Sequence, residues 1–64
     1  MGYEEAVSIY LNRANEEQPG SEVQHASADH SELINGVWFL RNADGLLAKV
    51  GTLKNQVFAR ILVD

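Results

Sequence analysis

VWFLRNADGLLAKVG, residues 37–51, decides how this chain folds. Two short runs of aromatic and aliphatic residues flank Asn42-Ala43-Asp44-Gly45. That tetrapeptide suits a type I turn followed by a left-handed glycine, the glycine bulge of a three-residue hairpin loop. The expected strands are Val37–Asn42 and Leu46–Gly51. Their β-branched and aromatic residues fit a pleated, half-buried surface.

The hairpin sets a register, and the register assigns faces. With Asn42 opposite Leu46, Leu40 opposes Ala48 and Trp38 opposes Val50. Trp38, Leu40, Leu46, Ala48 and Val50 then share one face, which is almost wholly apolar. Downstream, Thr52-Leu53-Lys54-Asn55 reads as a second turn and Val57–Val63 as a third strand. Val57, Ala59, Ile61 and Val63 alternate onto a single face, expected to be the same apolar one. The opposite face receives Val37, Phe39, Arg41, Leu47, Lys49, Phe58, Arg60 and Leu62.

Upstream, YEEAVSIYLNRAN, residues 3–15, places Tyr3, Ala6, Val7, Tyr10, Leu11 and Ala14 along one stripe of an amphipathic helix. Glu4 and Glu5 sit where negative charge suits the helix dipole. Pro19-Gly20 ends the helix, because proline cannot extend the hydrogen-bond ladder.

Residues 21–34 support two readings. Ser21 with Gln24 fits a capping box, and Val23, Ala26, His30, Leu33 and Ile34 then follow helical spacing. Asn35-Gly36 between Ile34 and Val37 is equally a two-residue hairpin signal. A helix or irregular segment is expected over 22–30, with 31–34 left open between helix and strand.

The expected architecture is α+β, in a single small domain over residues 1–64. An N-terminal amphipathic helix, with room for a second short helix, packs on a three- or four-stranded antiparallel meander. One helix covers one side of a sheet. The second face keeps a large apolar share, and strands apolar on both faces require two covers. A partner is therefore expected there, a second copy of the chain or another protein.

Size points the same way. A domain of 64 residues buries only ~60% of its unfolded surface, so its stability is marginal without help. The chain has no cysteine, which excludes disulfides and thiolate zinc sites. Oligomerisation, a weak His/carboxylate metal site or a well-packed core remain as supports. The longest aliphatic and aromatic run, Val37-Trp38-Phe39-Leu40, is too short to cross a bilayer. MGYEEAV is acidic and lacks the apolar stretch of a signal peptide, so a cytoplasmic location without membrane attachment is expected. Net charge is −4, yet the halves differ in sign. Residues 1–32 hold seven carboxylates against Arg13, and residues 33–64 hold four cations against two carboxylates.

The residues bear on four functional classes. Phe39 and Phe58 beside Arg41, Lys49 and Arg60 resemble the physics of single-strand nucleic-acid binding, where bases stack on aromatics and cations follow phosphates. An acidic chain without a ribonucleoprotein motif weighs against it. His25, Asp29 and His30 hold metal-ligating atoms, but not at a recognised ligand spacing. Ser27, Asp29, His30 and Ser31 hold the atoms of a hydrolytic site, but a chain this short leaves little room for a sheltered pocket. The remaining class, a non-enzymatic interaction module without cofactor or small-molecule substrate, is the expectation. Its interface is Val37, Phe39, Arg41, Leu47, Lys49, Phe58, Arg60 and Leu62.

Overall fold

A computed structural model describes residues 1–62 of the chain. It contains helix α1 (Tyr3–Glu17) and strands β1 (Glu32–Ile34), β2 (Val37–Asn42), β3 (Gly45–Leu53) and β4 (Gln56–Ile61). The strands form one antiparallel meander in the order β1-β2-β3-β4. The α+β architecture is as the sequence implies, with four strands and one helix.

Helix α1 follows its apolar stripe. Ala6, Tyr10 and Ala14 are buried, and Tyr3, Val7, Ile9 and Leu11 pack around them. Two alanines on the contact face let the helix lie close to the sheet, over Leu40, Ala48, Val50 and Ala59. The helix opens at Gly2 without a side-chain cap, with Glu4 and Glu5 in its first turn. It closes as the Gln18 amide donates to the Ala14 carbonyl at 2.9 Å, just before Pro19.

Of residues 31–34, Glu32–Ile34 form a strand rather than a helix, and Ser31 precedes it. Asn35 and Gly36 both take positive φ, 50° and 80°, which a two-residue loop matched to strand twist requires. Residues 22–27 are irregular and 28–30 form a turn, so no second helix forms. Tertiary hydrogen bonds supply the reason. The Ser27 amide donates to the Arg41 carbonyl at 2.8 Å, and the Ser31 hydroxyl accepts from the Arg41 amide at 3.0 Å. The Tyr10 hydroxyl donates to the Gln24 carbonyl at 2.8 Å. These bonds spread the segment across the sheet end and the helix, where a coiled segment could not reach all three. Val23 and Ala26 join the core that α1 covers, so the segment lies on the helix side of the sheet.

The β2–β3 register departs from expectation near its turn. Trp38↔Val50 and Leu40↔Ala48 hold, but Asn42 pairs with Gly45 and Arg41 with Leu46. Gly45 has the expected positive φ, 135°. The extra residue is Leu47, beyond the loop. The Asn42 side-chain oxygen accepts from the Asp44 amide at 2.9 Å, closing a two-residue loop and moving the irregularity into the strand. A bulge turns consecutive side chains toward one side, and Leu47 packs against the helix-side core. The last turn is also shorter than the sequence implies. Lys54 and Asn55, with φ of 51° and 65°, connect strands running to Leu53 and from Gln56. Val63, expected in the last strand, lies outside the described residues.

Candidate functional site: the open face of the sheet

Alternation from the buried row Leu40, Ala48, Val50 and Ala59 places the neighbouring residues on the opposite face. Among the described residues no element lies over it. Cross-strand pairing arranges it in two rows. One is Glu32, Phe39, Lys49 and Arg60; the other is Ile34, Val37, Gly51 and Phe58. Arg41 extends the first toward the 43–44 loop, and Leu53 with Gln56 follows the second toward the 54–55 turn.

Phe39 is the centre of the charged row. The Arg41 guanidinium stands 5.6 Å and the Lys49 ammonium 5.2 Å from its ring centroid, within cation–π range. Arg41 also approaches Glu32 at 3.5 Å. Glu32 is exposed and Arg41 half-buried, so the ion pair remains open to solvent and orients Arg41 more than it stabilises the fold. Lys49 and Arg60 are direct cross-strand partners, and neither meets a carboxylate among the described residues.

Phe58 is held by an absence of side chain. It faces Gly51, and a Cβ at Gly51 would come within 3.2 Å of the Phe58 ring and 2.9 Å of the Gly36 carbonyl oxygen. The bare glycine lets the aromatic ring lie down on the strand, next to Val37. Ordinary strand preference gives no reason for glycine at this buried position.

Six of the eight expected interface residues therefore share this face: Val37, Phe39, Arg41, Lys49, Phe58 and Arg60. Leu47 turns to the core through the bulge. Leu62 follows β4, its amide donating to the Leu47 carbonyl at 2.9 Å, and lines a cleft of about 270 Å³. Tyr10, Val23, Asn42 and Leu46 line the same cleft. Burial pushes the Tyr10 phenol up from its ordinary range.

Sequence reading missed Ile34 and Leu53 on the open face. Both are exposed, as are Leu33 and Val57, and all four flank the 35–36 and 54–55 turns at one end of the sheet. The Asn-Gly hairpin signal was the clue that would have found Ile34.

Trp38 packs as a structural residue. Its ring meets Tyr3 edge-on at 5.6 Å and its indole N–H donates to the Met1 carbonyl at 3.0 Å.

The 25–32 cluster does not gather a metal site, for no group of three His, Asp or Glu side chains comes together among the described residues. His30 Nδ1 lies 3.1 Å from the Ser27 hydroxyl on the exposed surface. Ser31 is engaged with Ser27 and Arg41 backbone. The cluster shapes the turn that anchors residues 27–31 to β2, and neither Ser27 nor His30 lines the cleft.

Among the described residues, no helix is long and apolar enough to cross a membrane. No protein-family model, curated protein or solved structure matches the chain.

Proposed function

We propose that this protein is a small non-enzymatic interaction module that docks a protein partner through the open face of its sheet. The observation that supports the reading is one-sided cover. Helix α1, Val23 and Ala26 pack on one face, while Ile34, Val37, Phe39 and Phe58 stand on the other beside Arg41, Lys49 and Arg60. Apolar groups gathered away from a core mark interaction surfaces. Strands hold these groups in fixed register, so little ordering remains to be done on binding. Phe39 and Phe58 are the anchors of the interface, since aromatic groups dominate interface energy.

Site-specific photo-crosslinking in living cells tests the reading. A benzophenone amino acid replaces Phe58 in one variant and Ser8, on the exposed side of α1, in another. Protein crosslinks from position 58 and not from position 8 are expected. Equal crosslinking from both, or crosslinking from position 8 alone, would remove the open face as the interface. The mass of the adduct separates a second copy of the chain from a different protein.

A further inference from the structure

The open face is segregated along its strands. Glu32, Arg41, Lys49 and Arg60 occupy the end near the 43–44 loop, and Ile34, Val37, Leu53 and Phe58 the end near the other two turns. Among the described residues three cations meet one carboxylate on this face, a local charge of +2 in a chain of net charge −4. The one carboxylate, Glu32, is paired with Arg41. Lys49 and Arg60 stand directly opposite each other. Like charges in that position destabilise a sheet. The chain has nine Asp and Glu residues, yet among the described residues none is set against this pair. These cations, which meet no carboxylate among the described residues, and the apolar end together form a two-part surface whose complement is a carboxylate beside an apolar side chain.

We propose that the occupant of this face is a segment of a different protein, one that carries Asp or Glu next to an apolar residue. The carboxylate bridges Lys49 and Arg60, and the apolar side chain rests on Val37 and Phe58. This rests on the docking reading above and names the partner's chemistry. A second copy is a poorer match. Twofold stacking of the face on itself brings two copies of Lys49 and Arg60, four like charges, together. Head-to-tail stacking sets the face against the exposed side of α1, where Glu4, Glu5, Glu16 and Glu17 match its charge but Ser8, Asn12 and Asn15 offer Phe58 no apolar anchor. Such a contact also fails to close and runs on as a filament. A polynucleotide matches less well again, because the Phe39 ring already has two cations within 5.6 Å of its centroid.

The test titrates the isotope-labelled full chain with a capped peptide of alternating glutamate and valine and follows amide shifts by NMR. A glutamine–valine peptide and an oligothymidylate of matched charge serve as comparisons. Shifts at Val37, Lys49, Phe58 and Arg60 are expected. The glutamine–valine peptide should bind about tenfold more weakly, as loss of a charge-assisted contact implies. Arg60→Glu should weaken the glutamate–valine peptide to a similar degree while melting no lower than the parent, because it sets opposite charges across β3 and β4. Equal binding of the two peptides, or binding unaffected by Arg60→Glu, overturns the acidic-partner inference alone. Phe58→Asp separates the two claims. Shifts confined to the helix side, or binding indifferent to both Phe58→Asp and Arg60→Glu, overturn the docking reading as well. Tighter binding of the oligothymidylate overturns the inference in favour of nucleic acid. A dimer by light scattering, mapped to this face and insensitive to Arg60→Glu, overturns it in favour of a second copy.

Discussion

Leu40, Ala48 and Val50 are wholly buried beneath α1, while Phe39 and Lys49, one step away along the same strands, stay partly in solvent. On the helix side, small residues sit between large ones, so that helix and sheet interlock at short range. On the open side, large side chains lie flat on their own strands: Phe58 over Gly51, and Arg41 and Lys49 over Phe39. The two faces draw their order from different sources. The first is ordered by closing over water-excluded volume, the second by cation–aromatic and glycine–aromatic contacts that survive exposure. A chain this small therefore keeps these side chains in place without covering them.

If that contrast is right, substitutions should divide by face. The largest loss is expected from Leu40→Ala, about 3 kcal/mol, since it opens a cavity where the helix cannot collapse inward. Chemical denaturation reads this directly, and a loss under 1 kcal/mol would mean the core is loosely packed. Gly51→Val comes next, at about 2 kcal/mol, because its Cβ meets the fixed Gly36 carbonyl as well as the Phe58 ring. Thermal melting together with the Phe58 ring shifts checks it, and a neutral result would show that Phe58 does not lie on Gly51.

Tyr10→Phe should cost about 1 kcal/mol, the worth of one hydrogen bond to the Gln24 carbonyl. The same phenol predicts a pH effect. Its folded pKa is raised above the unfolded value of 10.0, so its contribution is fully present below pH 10 and is lost as pH climbs through the folded value. Comparing parent and Tyr10→Phe stability from pH 8 to 11.5 isolates that loss. A parent that loses no more stability than the variant across this range would contradict the assignment.

Phe58→Asp should lower stability by about 1 kcal/mol or less, leave the helical circular dichroism signal intact, and abolish association through the open face. Outright unfolding would make Phe58 a core residue and erase the contrast between the faces. The smallest effect is expected for Arg60→Glu, a gain of a few tenths of a kcal/mol as a like-charge pair becomes an opposite one. A clear destabilisation would show that Arg60 is already compensated.

Helix α1 and strand β2 were legible from spacing alone, because each depends on a local period and on nearby stop signals. The six face residues that hold together were legible for the same reason: alternation within a strand assigns sides without knowledge of the neighbours. Leu47 and Leu62 were not. Their places depend on a bulge, and the bulge depends on whether the Asn42 side chain closes its loop over Asp44. That choice is a balance of local hydrogen bonds that the residue pattern does not rank. Residues 21–34 were ambiguous because capping-box and hairpin signals overlap there, and local propensity is a weak prior.

What the sequence by itself determined is a one-sided helix, an antiparallel meander, a chain without disulfide support, and a second face with apolar and basic character. Tertiary contacts, not local pattern, keep the 22–31 segment irregular and on the helix side. Ser27 and Ser31 bond the backbone of Arg41, and Tyr10 bonds that of Gln24, across 10 to 14 residues of chain. Register between strands likewise brought Lys49 opposite Arg60 and Phe58 over Gly51. Those pairings follow from the two-residue turn at Lys54 and Asn55, which is shorter than the turn the residue pattern implies.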